Sequence, residues 1–285
     1  MENSEAKSRR MLITAMCIFG TIGILRRFIP LSSSLIALVR GIIGSVFLLL
    51  MTFVQRTPLD KAAIRKNFWL LLASGVAIGF NWILLFEAYN YTSVATATLC
   101  YYLAPILVIL AAPVVLKEPL TLRKGICTFV AFSGMVLVSG VTEGGISGIK
   151  GILLGLGAAV LYASVILMNK KITHVDAYSK TILQLSLASV ALIPYVLLTE
   201  DWTQVTFSWL SVVLLLTAGI IHTGFAYWMY FGSMAGLKAH TVALFSYIDP
   251  ILAIVLSVIL LKEPMSPPSL LGAAMILGAA YYSGK

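Results

Sequence analysis

The sequence predicts an all-α membrane protein of ten transmembrane helices, folded as two inverted five-helix repeats. Three observations carry that prediction. First, 60% of the 285 residues are hydrophobic and 11% are charged, where an average soluble domain has roughly 25% charged residues. Second, apolar runs of about 17 to 24 residues follow one another along the chain, each long enough to cross a hydrocarbon layer of about 30 Å. Third, the chain contains itself twice: Gly79-Phe80 to Lys117-Glu118-Pro119 returns as Gly224-Phe225 to Lys262-Glu263-Pro264 at a constant offset of 145 residues. Phe86 then matches Phe231, Thr96 matches Thr241, Tyr102 matches Tyr247, and Pro105 matches Pro250 without a gap. Upstream, Arg26-Arg27 and Arg40 are echoed by Lys170-Lys171 and Gln184 at an offset of 144. A bilayer interior cannot solvate backbone amides and no alternating strand pattern is present, so helices are expected rather than a barrel.

Taken in order, the first span, 11–29, follows a polar, basic stretch and has no small-residue cleavage site before Arg26, so it reads as a retained helix and not a signal peptide. Span two, 32–54, carries Arg40, and span three, 68–89, carries Asn81, Trp82 and, close to its outer end, Glu87. Span four, 93–116, holds Thr98, Tyr101, Tyr102 and the repeat proline Pro105; span five, 124–141, completes the first repeat, residues 1–141. A short Gly-rich connection leads to the second repeat, residues 149–285, whose first spans are 149–168 and 178–198, the latter with Gln184. Span eight, 208–232, sets His222, Ala226 and Tyr230 on one face at i, i+4 and i+8, with Tyr227 and Trp228 beside it. Span nine, 240–261, carries Tyr247 and the Asp249-Pro250 step, and span ten, 269–283, closes the chain.

The net charge of +9 reads as topology and not as a nucleic-acid surface, because the basic residues sit in short connections. With both termini cytoplasmic, fifteen Lys and Arg fall inside, while Arg26, Arg27, Lys150 and Lys262 fall outside, a bias that the positive-inside rule uses to orient a multi-pass cell-membrane protein. Five spans per repeat force the second copy to enter from the opposite side. The motif at 117–119 accordingly runs into Arg123-Lys124, whereas its copy at 262–264 runs into Ser266-Pro267-Pro268-Ser269 with no basic residue. Inverted repeats of this kind bind their substrate near the midplane, where the halves meet. Glycine pairs at 75/79, 151/155 and 232/236 allow close helix approach, either as packing within one chain or as a homodimer seam. Cys17, Cys100 and Cys127 have no paired spacing, so neither a disulfide framework nor a metal site is expected.

The run Tyr91-Thr92-Ser93-Val94-Ala95 to Pro105, then Lys117-Glu118-Pro119-Leu120-Thr121 to Gly125, with Arg40 in the second span and the whole repeated, resembles the EamA branch of the drug/metabolite transporter superfamily. That resemblance covers nearly the full length. It implies a carrier that moves small metabolites, often amino acids or amines, by alternating access, with helices five and ten peripheral to the cavity. Two departures stand out: Glu87 occupies a position that is normally apolar or small, and Asp249 precedes the repeat proline where Ala104 stands in the first half.

An ionisable side chain deep in a bilayer costs roughly 2.5–3.5 kcal/mol on insertion scales and faces a cavity or a partner. Asp249 is such a residue, and Pro250 frees a carbonyl near Ser246, so span nine is expected to break beside the carboxylate. Asp249 either binds substrate or a proton, or pairs with a buried Tyr, His or Arg. Glu87 is either a cavity-mouth anion or solvated. Arg40 either grips a substrate carboxylate or ties down a helix end or an acid such as Asp249 or Glu87. Gln184 is its uncharged counterpart, and His222 is a proton relay or a hydrogen-bonded packing residue. Trp69, Tyr89, Tyr91, Trp202, Trp209, Tyr281 and Tyr282 read as interfacial belts, whereas Trp82, Tyr101, Tyr102, Tyr227, Trp228 and Tyr247 lie deep, with tyrosine hydroxyls that need partners. With an acid, these aromatics are the ingredients of a cation box.

The function expected is therefore a secondary carrier of a small polar metabolite of the amino acid or amine class. No nucleotide-binding signature accompanies the spans, which leaves uniport or proton-coupled exchange (antiport) and no cofactor. An enzyme is not expected, since there is no HExxH or GxSxG pattern. A non-catalytic membrane receptor or scaffold is the alternative. The partners expected are a small-molecule substrate and the lipid bilayer, with no nucleic acid, in a monomer or homodimer.

Overall fold

A computed structural model describes residues 2–55, 61–117, 120–138, 148–234, 237 and 245–283. Among them every regular element is a helix. α1 (Glu2–Gly20) and α2 (Ile22–Arg27) form one path interrupted at Thr21, whose hydroxyl donates back to the Ile18 carbonyl at 2.7 Å. α3 (Ser33–Gln55), the short α4 (Lys61–Lys66) and α5 (Phe68–Tyr91) follow. Then come α6 (Val94–Tyr101), α7 (Ala104–Val115) and α8 (Leu122–Val138). α9 (Ile149–Lys171) and α10 (Ala177–Thr199) lead to α11 (Trp209–Gly219), a π-helical turn over Ile220–Phe225, and α12 (Ala226–Met234). α13 (Ile248–Leu260) and α14 (Pro267–Ser283) end the described chain.

Seven stretches of these helices are long and apolar enough to cross a membrane, among them Ser33–Val54, Phe68–Tyr91, Ile149–Lys171 and Trp209–Ser233. Their outward faces are apolar as well: Phe53, Val114, Leu198 and Trp209 are almost fully exposed. In water that surface would be unfavourable by about 25 cal/mol per Å²; against lipid it is the expected finish. The molecule is an integral multi-pass membrane protein.

Side-chain contacts define the two ends of the bundle. At one end Ser32 and Ser34 donate to Glu200 (2.6 and 3.1 Å), and Ser33 donates to Glu87 (2.7 Å). At the other, Asn67 donates to the Thr173 carbonyl (2.9 Å), Lys180 to the Asn169 carbonyl (3.2 Å) and Arg123 to the Tyr282 carbonyl (2.6 Å). Helix starts are capped in the usual way: Ser93 accepts from the Thr96 amide (2.9 Å), Asp176 from the Ser179 amide (2.9 Å), and Ser208 and Ser211 close a capping box.

The main core joins α3, α5 and α10 through fully buried Ile36, Phe86, Ile182, Leu185 and Leu192. α8 and α14 make a separate pair at the side, where a Cβ on Gly134 would lie 2.7 Å from the Gly272 carbonyl oxygen. Gly75 approaches Leu187 and Gln184 on α10, Gly151 approaches Thr92, Gly155 approaches Cys100, and Gly232 approaches Met11. These described glycines of the three pairs serve packing within the chain; Gly236 lies outside the described residues.

Both repeat prolines follow a break. α6 ends at Tyr101, and α7 resumes at Ala104 with Pro105 in its first turn. The turn at 246–247 precedes α13, with Pro250 in its first turn. The second break was expected from the sequence and the first was not, although the cause is shared: proline has no N–H to continue a helix across it, and it fits the first turn of a new one. The start expected for span nine at 240 and the Gly-rich connection before Gly148 lie outside the described residues.

Candidate substrate-binding site

The broken helices meet around a cavity of about 520 Å³. Asp249 lines it from the first turn of α13, and its Oδ2 accepts a hydrogen bond from the Tyr102 hydroxyl at 2.6 Å. Tyr102 is itself the residue at the α6/α7 break, so the two broken helices meet at this bond. α1 reaches the same place because Gly20 carries no side chain: a Cβ there would lie 2.7 Å from the Asp249 carbonyl oxygen.

Arg40 lines the cavity from α3 and is 5% exposed. Its guanidinium lies over the Trp82 ring at 4.3 Å and near the Phe86 ring at 5.2 Å, a cation–π arrangement that substitutes for part of its hydration. Its Nε–H donates to Thr223 Oγ1 at 3.1 Å, and the Thr223 hydroxyl donates on to the Ala218 carbonyl at 2.9 Å. That carbonyl lies five residues back, across the π turn. Among the described residues the two terminal NH2 groups of Arg40 have no hydrogen-bond partner, and Arg40 forms no ion pair. The tie from Arg40 to Asp249 or Glu87 that the sequence allowed is therefore not made.

Aromatic rings complete the wall. Tyr101 packs on Tyr162 with ring centroids 5.2 Å apart and on Tyr102 at 5.9 Å, while Phe19 packs on Tyr227 at 5.1 Å and Tyr230 at 6.3 Å. Tyr247, the repeat mate of Tyr102, also lines the cavity and packs on Tyr281 at 5.9 Å. Of the residues singled out in the sequence, Asp249, Arg40, Trp82, Thr98, Tyr101, Tyr102, Tyr227, Tyr230 and Tyr247 line this cavity.

Five others do not. Glu87 accepts from Ser33 (2.7 Å) and Asn90 (3.1 Å) near the end of α5. Asn81 donates to the Ala158 carbonyl (2.6 Å), and Gln184 donates to Ser74 (2.6 Å) and Asn169 (2.7 Å), so both are used up in helix packing. Trp228 stacks against Phe225 at 5.7 Å and faces the main core. His222 meets Thr21 Oγ1 (2.9 Å) and the Thr217 carbonyl (3.3 Å). Its expected shared face with Tyr230 assumed an unbroken α-helix, and the π turn adds a residue between them and rotates it away.

Tyr89, assigned in the sequence to an interfacial belt, is 3% exposed and lines the cavity, its hydroxyl 3.5 Å from Thr98 Oγ1. Tyr162 was missed altogether, although it stands as deep in its span as Tyr101 does. Its depth in the span is the signal that marks it.

Helices of this length around a cavity with an acid and an arginine at its wall define an integral membrane protein with an internal site for a small molecule. The sequence profile of the EamA-like transporter family matches residues 10–140 and again 149–284, and the chain belongs to that family. Uncharacterized transporter YxxF of Bacillus subtilis (strain 168) is 30% identical over 90% of this chain and 83% of its own length. An uncharacterized transporter of Vibrio cholerae is 26% identical over 98% of this chain and 92% of its own, and protein RarD of Salmonella typhi is 30% identical over 68% and 64%. One solved crystal structure superposes with a TM-score of 0.67 at 17% identity, covering 97% of this chain and 96% of the other; that likeness shows the fold alone.

Proposed function

We propose that this protein carries a small zwitterion of the amino acid class across the membrane by alternating access. The observation that carries this reading is the cavity wall itself. One half-buried acid, Asp249, and one buried arginine with two unengaged NH2 groups, Arg40, line the same cavity without forming an ion pair. A buried charge left without a partner is unfavourable by several kcal/mol, and a ligand that carries both signs relieves both. Arg40 takes the carboxylate through its planar fork, and Asp249, with the rings of Tyr101, Tyr102 and Tyr227 about it, takes the ammonium. The aromatic wall around a lone acid favours a second reading, an amine without a carboxylate, in which Arg40 only tunes the field.

Ten passes in two inverted halves are the frame for this mechanism. Support comes from the alternation of helix ends between the two ends of the bundle and from the matching breaks before Pro105 and Pro250. Lys117 (φ 57°) and Lys262 (φ 54°), repeat mates in sequence, also share the rare left-handed conformation. The charge bias supports a cytoplasmic position for both termini. Asp249 is the group that would exchange a proton for substrate, as antiport requires.

The test is counterflow and current in proteoliposomes with zwitterionic amino acids, cationic amines and uncharged nucleosides. Zwitterions are expected to be carried, and Asp249→Asn and Arg40→Gln each to lose uptake. Uptake of amines alone, untouched by Arg40→Gln, would establish the second reading. Uptake by both variants at the wild-type rate would overturn both.

A further inference from the structure

Between described residues there are two ion pairs, and one of them, Arg9 with Glu5, lies within α1. The other joins parts of the chain more than 230 residues apart: an Nη of Arg27, at the end of α2, donates to Glu263 Oε1 at 2.7 Å. The same carboxylate holds more. Its second oxygen accepts the backbone N–H of Val94 at 2.9 Å and the hydroxyl of Ser257. Val94 opens α6, so Glu263 satisfies an amide left without an intrahelical partner and lies at the positive end of the helix. Arg27 also donates to the Thr92 carbonyl at 3.1 Å. One side chain from the α13–α14 connection thus ties the end of α2 and the start of α6 to the end of α13.

Each of these three paths is interrupted between the tie and the cavity or within the cavity wall: α1/α2 at Thr21, α6/α7 at Tyr102-Leu103, and α13 at its start. The cavity lining runs from Gly23, Tyr89 and Thr98, one helical turn below the tie, to Met16, Ile109 and Ile166 towards the opposite end. Directly beneath the tie the layer is closed. Val94 and Ala97 are fully buried, Tyr89 is nearly so, and a Cβ on Gly23 would lie 2.5 Å from Val94 Cγ1. Arg27 and Glu263 keep side-chain exposures of 33% and 17%, so water reaches the pair.

We propose that Glu263 is the latch that shuts the cavity on the Arg27 face, and that each transport cycle breaks its bonds to Arg27 and Val94. The inference rests on the alternating-access reading. A latch of this kind holds one of two states and must be released in the other, so its strength sets the balance between them. Glu118, the repeat mate of Glu263, lies outside the described residues.

The test uses a membrane-impermeant thiol reagent on the full chain in sealed vesicles, applied to the face that carries Arg27. The reporter is Ile22→Cys, which lines the cavity, with Cys17, Cys100 and Cys127 replaced by Ala. Reporter labelling is expected to be slow, and to quicken several-fold when Glu263→Gln removes the charge and keeps the shape. A second variant, Arg27→Cys with Glu263→Cys and Ile22 restored, is expected to lose counterflow when oxidised and recover it on reduction, while binding substrate from the opposite face in both states. Labelling that is equally slow in Glu263→Gln, or counterflow unchanged by the cross-link, would overturn the latch. Because the labelling readout needs no substrate, a failure of the proposed cargo leaves the latch test intact.

Discussion

Asp249 has one close polar partner among the described residues, the hydroxyl of Tyr102, and otherwise aromatic and small apolar neighbours. A hydrogen bond to a charged group contributes about 1.5–3 kcal/mol. Tyr102→Phe is therefore expected to raise the substrate concentration for half-maximal uptake by about tenfold or more, while Tyr247→Phe, whose hydroxyl has no contact with Asp249, changes it less. Uptake kinetics in proteoliposomes decide between them. Outside the membrane the informative acid is Asp176. Burial pulls its carboxyl up, but hydrogen bonds from Ser179 and the neighbouring backbone amides outweigh that and hold it below its ordinary value of 3.8. A depressed carboxyl adds stability that is present above the unfolded-state value and is lost as pH falls through the folded-state value. Asp176→Ala is expected to destabilise the protein by about 1 kcal/mol at neutral pH, and the difference from wild type is expected to vanish in strong acid. Thermal melts in detergent across pH read both.

At the scale of elements, α3 and the π turn make one unit. Gly44 lies against Thr223, Gly224 against Phe47, and Arg40 bonds Thr223, so the turn is gripped from two sides along α3. Gly44→Ala would push its Cβ into Thr223, and overpacking of this kind costs about 1–3 kcal/mol. Gly278→Ala meets nothing within 4 Å and is expected to leave the melting temperature unchanged or slightly raised. The contrast between the two melts checks the packing. This unit was not legible in the sequence, because a π turn is written by no residue type. Its mark is the misplacement of His222, which a regular helix would have aligned with Tyr230. The break at Tyr102-Leu103 was legible in principle, since Pro105 stands where Pro250 does.

For the whole molecule, the repeat and the apolar runs made the helical membrane fold readable at once, because both are properties of long stretches and survive small local errors. The cavity was half readable. Depth along a span identified Asp249, Arg40 and the tyrosines of α6 and α12, yet depth does not say which side of a helix faces inward. Asn81, Gln184 and Trp228 are deep and face neighbouring helices; Tyr89 is near a helix end and faces the cavity. At this scale the orientation is the expectation to check. Tags at the two termini are expected to be cleaved only by protease on the cytoplasmic side, and cleavage of either from outside would reverse the assignment of the Arg27 face.

The π turn has one more consequence. It absorbs one extra residue between α11 and α12, so removing Ile221 would restore an ordinary helix with Tyr227 and Tyr230 on their present face, whereas a second removal would shorten that helix by about 1.5 Å and turn everything beyond it by roughly 100°. Tyr227 and Tyr230 would then face away from Asp249 with no change in their identity. Part of the cavity is thus encoded as a count of residues: in a relative whose rings all match, one missing letter is absorbed where the π turn lies, and the same loss in the regular helix would mean a different wall.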